Sequence, residues 1–488
     1  MRTFYMAGND EFLKRYAMRT LQLNDANALT HYSKGLPTMH PIFLLITALF
    51  ATAAIANSTG TASKPQSLMA IYNLALAHDP TLASALNANK AAQELIEQAK
   101  ALYRPIVNFS AGANASQTDV RYKGTGIPFP NGVRSYEGYQ VGVEARQPLF
   151  RKQNLVQMEQ LHTQVSQADK QLHLTMQNLM LRTTQSYFET LVTQDKLDLI
   201  GAQKAAILSQ LEQAKARFDV GSATITDTNE AQARFDLTIA QEIAAQNALE
   251  IAKRNLQAIT GELPRPLAKV RADLKPNALT QKLDEWLKVA ADSNLNIQIQ
   301  QDLATLAGQE IERNQAGHLP TVDAVASYTE TSTNGSNFGF GSDINTGTIG
   351  VELNLPLYQG GATSSRIRQA VLNKQKALDD VEIARRQTEL DTQTAYLNLN
   401  SSIAQVKAYE QALSSSQSQL DSTQTGYDVG IRTGVDVLDA QRQLFAAKRD
   451  LLEARYQYLL NIIRLKAAVG VIGDEDLADV NRQLEGML

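Results

Sequence analysis

The sequence predicts a membrane α+β fold, with four β-barrel strands per chain joined to long coiled-coil helices, built as two copies of one unit. Three observations lead there. Residues 152–219 hold neither Gly nor Pro except Gly201, and residues 362–424 hold none at all. Four shorter segments alternate polar and apolar side chains with period two, as strands do. A series of short motifs recurs in register, which is the mark of an internal repeat.

The repeat comes first because it sets the frame. Phe218-Asp219-Val220-Gly221 returns as Tyr427-Asp428-Val429-Gly430, 209 positions later. Asp227 and Asp436 follow their glycines by six residues, and Ala-Gln follows each at 231–232 and 440–441. Val141-Gly142-Val143-Glu144 matches Ile349-Gly350-Val351-Glu352, and Pro148-Leu149-Phe150 matches Pro356-Leu357-Tyr358. Pro105 and Pro320 each close a helical stretch and open an alternating one. The copies cover 66–270 and 283–475, the Pro-containing segment from Gly261 to Asn277 links them, and 476–488 forms a C-terminal tail. Each copy reads as helix, two strands, a very long helix, a tight turn and another helix.

The strands show two faces. Val107, Phe109, Ala111 and Ala113 alternate with Asn108, Ser110 and Gly112. Tyr139, Val141, Val143 and Ala145 alternate with Gln140, Gly142, Glu144 and Arg146. In the second copy Val322, Ala324, Ala326 and Tyr328 alternate in part with Asp323, Ser327 and Thr329. Ile349, Val351, Leu353 and Leu355 alternate with Thr348, Gly350, Glu352 and Asn354. An apolar outer face over a polar inner face is what a membrane barrel requires. About 12 residues at about 3.3 Å each reach about 40 Å, enough to cross a bilayer with tilt. Loops rich in Gly, Pro, Asn and Ser are expected at 118–134 and 332–345.

The helices are longer than a globular domain can hold. A helix of about 68 residues measures about 100 Å. In the last helix Val437, Leu444, Leu451 and Tyr458 sit seven apart, with Ala440, Ala447 and Ala454 between them. That is a coiled-coil seam with alanine at one site. Leu399, Ile403, Val406, Leu413, Leu420 and Tyr427 continue it on the preceding helix. In the first copy Ala231, Phe235, Ala245 and Leu249 fit, while Thr238 and Glu242 read as interruptions. Each pair is expected to fold as an antiparallel coiled coil with its tip at Gly221 or Gly430.

Composition narrows the function. Net charge is -4 and basic residues are scattered, which excludes a nucleic-acid surface. The chain has no cysteine, which excludes disulfides, thiolate sites, a cysteine nucleophile and a lipoprotein anchor. His162 and His173 stand too far apart on a helix for one metal, and His78 and His318 match no ligand spacing. No phosphate loop or hydrolase motif occurs, so neither cofactor, metal nor catalytic activity is expected. Ile42 to Ile55 is apolar but too short for a span and ends in an A-x-A pattern, so residues 1–56 read as a signal peptide with an atypical N-terminal extension, cut after Ala56. Initiation at Met18 would keep Arg19 and Lys34 as its basic region.

Four strands cannot close a barrel, and an open edge cannot face lipid, so the chain must assemble with itself. Two copies would give eight strands, and three would give twelve with room for a lumen.

The chain resembles the TolC family of outer-membrane efflux and secretion channels. The stretches AHDPTLASA, AGHLPTVDAVAS, LPLYQGG, RFDVGSATITD, GYDVGIRTGVDVLDAQ and ARYQYLLNIIRLKAAVG carry the resemblance, over about 66–482. It implies a homotrimer with a 12-stranded outer-membrane barrel continuous with a long periplasmic α-helical barrel. It implies docking to a periplasmic adaptor (membrane fusion) protein and an inner-membrane RND or ABC pump, with drugs, bile salts, dyes or secreted proteins as substrates. It assigns Asp436 and Asp439 to an acidic entrance ring. Their spacing alone favours helix capping. The resemblance also assigns a gate network in which Arg432 and Tyr427 bond to Asp227 and Thr226, with Gln210 nearby. Gln424 departs from the family's pattern, which has an acid there, so one link of the network is expected to be weaker. The competing reading is a periplasmic coiled-coil adaptor or scaffold without a pore. Such proteins carry a single helical hairpin on a compact β domain, whereas here the hairpin occurs twice.

Overall fold

In the computed structural model, which describes residues 65–485 apart from 125, 127, 128 and 130, short helices lead into a β-hairpin in each half of the chain. The signal-peptide reading of 1–56 lies outside the described residues. Helices α1 (Leu68–His78), α2 (Pro80–Gln93) and α3 (Leu95–Ala101) precede β1 (Ile106–Val120) and β2 (Gly132–Phe150). The 68-residue α4 (Lys152–Asp219) and 36-residue α5 (Ile225–Thr260) follow. The second half runs α6 (Leu283–Ser293), α7 (Leu295–Gln315), β3 (Thr321–Thr333), β4 (Ser342–Asn354), the 67-residue α8 (Ala362–Asp428) and the 36-residue α9 (Gly434–Val469). Within the segment read as a tail, residues up to Asn481 belong to a further helix, α10 (Asp474–Asn481). Beyond it Leu484 bridges Val270, and at the other end Gln66 bridges Leu267, so both ends of the described chain pair with the linker.

The strands form one antiparallel sheet in the order β1-β2-β3-β4. Its register aligns the apolar residues. Phe109 faces Val143, which faces Tyr328. Ala145 faces Ala326, which faces Ile349. Asn108, Glu144 and Ser327 line up on the other face. Aromatic residues flank the apolar band, with Tyr139 and Tyr328 towards one end and Phe150 and Tyr358 at the other. Tyr139 to Phe150 spans about 36 Å along the strand and about 28 Å at a tilt near 40°, the depth of a bilayer core. The ladders outrun the apolar band: Thr118 pairs with Arg134 and Ser332 with Asp343. The loops are therefore shorter than expected, at 121–131 and 334–341, because backbone pairing continues whatever the side chains are. Among the described residues β1 and β4 have no partner on their outer edges, and Ile349 of β4 is 91 % exposed.

Charged residues join sheet to helices. Asp323, nearly buried, accepts from Arg151 Nε at 2.8 Å and from Arg146 Nη1 at 3.2 Å, and Arg146 also reaches Glu352 at 2.8 Å. Gly360 and Gly361, both at positive φ, turn the chain from the sheet into α8.

α4 packs on α5 and α8 on α9. The α9 seam is buried at Val437, Leu444, Leu451 and Tyr458 and at Ala440, Ala447 and Ala454. Leu399, Ile403 and Val406 of α8 are buried, while Leu413, Leu420 and Tyr427 are half-buried. The α5 seam differs from its sequence reading. Thr238 does not interrupt it but lies buried within it, its hydroxyl donating to the Arg234 carbonyl at 2.8 Å. Glu242 stays at the margin, held by Lys204 Nζ at 2.5 Å. Among the described residues no helix is long and apolar enough to cross a membrane.

Candidate functional site

The predicted site residues gather at two helix turns, and both turns are built alike. A helix ending in a left-handed residue closes its own last carbonyls. Gly221 (φ +73°) donates its N–H to the Phe218 carbonyl at 2.9 Å, and Gly430 (φ +82°) donates to Tyr427 at 3.1 Å. Thr224 and Thr433 then cap α5 and α9. Asp227 Oδ2 accepts from the Thr224 N–H at 3.0 Å and from its hydroxyl at 2.8 Å. Asp436 Oδ2 accepts from the Thr433 N–H and hydroxyl, both at 2.9 Å. In return each threonine oxygen accepts the aspartate N–H, at 3.3 and 3.2 Å. The Thr433 backbone N–H, then its hydroxyl, hold the Asp436 carboxyl below the usual carboxylate range, with the charge of Arg432 adding to the effect.

Capping thus accounts for Asp227 and Asp436 but not for Asp439, one turn further along α9. Its Oδ1 accepts from Arg234 Nη2 of α5 at 3.0 Å, and Arg442 lies 3.5 Å away. Arg234 is itself held by Glu230 at 2.8 Å. Burial would lower the pKa of Arg234, but these two carboxylates outweigh it and raise it.

Tyr427 lies under Arg217, whose guanidinium carbon is 4.1 Å from the ring centroid, a cation–π contact across the two hairpins. Arg432 packs its stem on the buried Gly426, where an added Cβ would lie 2.7 Å from Arg432 Cγ. Thr226 is exposed on the first turn of α5. Gln210 is buried in α4 beside Leu211, which joins Ala214, Ala231 and Leu438 in a small apolar cluster with Phe235 against it. Gln424 donates to Asp428 within its own helix at 3.3 Å. Among the described residues no hydrogen bond or ion pair joins Arg432 or Tyr427 to Thr226 or Asp227 within the protomer. Among them, too, no group of acidic or histidine side chains could hold a metal ion.

Sequence reasoning missed Arg217 and Arg234. Arg234 carried one signal, its i,i+4 spacing from Glu230. Its cross-hairpin partner is 205 residues away and had none.

Comparison with known proteins accords with this architecture. The description "Outer membrane efflux protein" belongs to the family that matches residues 71–262 and 286–471. The chain is 35% identical over 440 residues to the outer membrane protein TolC of Vibrio cholerae serotype O1, covering 90% of this chain and 98% of that one. It is 29% identical to the proteases secretion protein PrtF of Dickeya chrysanthemi, covering 88% of this chain and 93% of PrtF. Its fold is similar to the crystal structure of the outer membrane protein VceC from Vibrio cholerae, with TM-score 0.68, 21% identity, and coverage of 83% of this chain and 96% of VceC.

Proposed function

The chain belongs to the outer membrane efflux protein family, and from that premise we propose that it is a passive outer-membrane exit duct for drug efflux and type I secretion, gated at its two helix turns. One observation carries this reading. A sheet with an apolar band on one face and polar residues on the other ends in two unpaired edges and continues into helices about 100 Å long. Unpaired backbone cannot face hydrocarbon, so β4 of one copy must pair with β1 of the next.

Three copies give twelve strands and a lumen lined by the polar face. The helices supply a matching contact. Ile383, Leu390 and Leu397 of α8, seven apart, are exposed in the protomer, as are Leu237, Ile243 and Ile251 of α5. Stacked between neighbouring copies, these faces would close an α-helical barrel, and the two halves of the chain would act as duplicated staves of it.

The turns form the inner end. Arg432, Tyr427, Thr226, Asp227 and Gln210 would supply gate contacts between protomers, and Asp436 and Asp439 an acidic entrance ring that favours cations. Val220, Val429 and Ile431 stand exposed at the apices, and Val220 is 78 % exposed. They suit docking of a periplasmic adaptor that joins the duct to an inner-membrane RND or ABC pump, which supplies the energy. An adaptor role for this chain itself fits poorly, since a soluble β domain has no use for an apolar band with open edges.

The test is conductance of the purified protein in planar lipid bilayers. Closed, low-conductance trimers are expected, opened by Asp227→Ala with Arg432→Ala. Stable trimers that never conduct, even with both changes, would overturn the duct reading.

A further inference from the structure

We propose that Arg234 is a latch and charge mask at the inner entrance, tying the first hairpin to the second through Asp439 and neutralising that carboxylate until the hairpins part. The proposal rests on the duct reading above and adds a specificity-determining residue to it.

The geometry is cross-hairpin. Arg234 lies on α5 and Asp439 on α9, joined at 3.0 Å. Among the described residues no other ion pair links these two helices. The Arg234 side chain is only 22% exposed, and Glu230 holds it from one turn earlier on its own helix, so it is oriented before it meets Asp439. The contact lies beside the small apolar cluster in which Ala231 and Phe235 of α5 pack with Leu438 of α9. Arg234 itself also lines a cleft of about 650 Å³, together with Leu237, Gln241, Arg442, Phe445 and Arg449. Gln441 Oε1, on the same stretch of α9, is buried with no hydrogen-bond partner among the described residues, so this seam is not fully satisfied.

Two consequences follow. A charge-assisted bond at a half-exposed position biases an equilibrium modestly and yields to a docked partner. It therefore suits a latch better than a permanent weld. The two acidic levels also differ in kind. Asp436 caps its helix and keeps its charge in either state. Asp439 is compensated while Arg234 is in place, and separating α5 from α9 uncovers one negative charge per protomer. Arg442 moves with Asp439 on the same helix and is 71% exposed, so it screens that charge equally in both states. Opening and cation preference are thereby coupled.

Planar bilayers under a KCl gradient test this, with the detergent-resistant oligomer band confirming assembly. Arg234→Gln is expected to raise opening frequency roughly one-and-a-half- to five-fold, the range for losing one such pair, and to shift the reversal potential towards potassium. Arg234→Gln with Asp439→Asn should open as often but lose the shift. The exchange Arg234→Asp with Asp439→Arg should return opening towards the unmodified level, and it carries the test if Arg234→Gln fails to assemble. If Arg234→Gln changes neither quantity while Asp227→Ala with Arg432→Ala still opens the pore, the latch is overturned and the duct stands. If the exchange assembles and opens as freely as Arg234→Gln, the latch is likewise overturned. If no variant conducts, the duct reading fails and the latch with it.

Discussion

The Asp436 carboxylate closes the first turn of α9 through Thr433, and in the duct proposed above its charge would also face the entrance. The pH dependence follows from the lowered pKa. A carboxyl depressed below its ordinary value of 3.8 contributes its full stabilisation above that value and loses it as pH falls through the lowered one. Amide-exchange protection at residues 436–438 should therefore hold from neutral pH to about 4 and collapse below it. Thr433→Ala should remove the same protection at neutral pH, costing about 1 kcal/mol. Protection unchanged by that substitution would show that packing, not the cap, holds the turn. The caps were legible, since a threonine followed three residues later by an acid marks a helix start. Arg217 over Tyr427 was not, because one hairpin says nothing about which side chain of the other will cover it.

At the scale of elements, the long helices behave as their periodicity requires. The α9 seam reads straight from the sequence because its positions are apolar. The α5 seam hides a threonine, since a hydroxyl that bonds its own helix backbone enters a core without an unmet donor. Thr238→Val removes no bond the helix depends on and adds apolar volume. It should leave the stability, followed by thermal unfolding with circular dichroism, unchanged or raised, by about 1 kcal/mol at most. Leu444→Ala in the α9 seam should cost about 2–5 kcal/mol in the same measurement. A large loss from Thr238→Val would restore the reading of Thr238 as a polar break. The strands taught the complementary lesson. Alternation located the apolar band, but the ladders ran past it into residues read as loop, such as Thr118 and Ser332.

At the scale of the whole protomer, the sheet has two open edges among the described residues, and a stripe on α8 leaves Leu390 56% exposed. In the trimer proposed above, burying such a side chain against a neighbouring copy would contribute about 2 kcal/mol per contact. A charge there would have to be desolvated instead. Leu390→Glu should abolish the detergent-resistant oligomer and shift the mass measured by light scattering to that of one chain. An intact trimer would show that this stripe faces lumen or solvent rather than a neighbour.

The sequence by itself determined the local order of this protein: where strands alternate, where helices run unbroken, and where Gly221 and Gly430 reverse them. These are short-range matters, set by backbone freedom and by side-chain spacing along one element. The tertiary structure alone decided which elements meet. It placed Arg234 against Asp439, Arg217 over Tyr427, and Asp323 between Arg146 and Arg151. An ion pair across two hairpins depends on how their seams dock in space, and no periodicity within either helix encodes that.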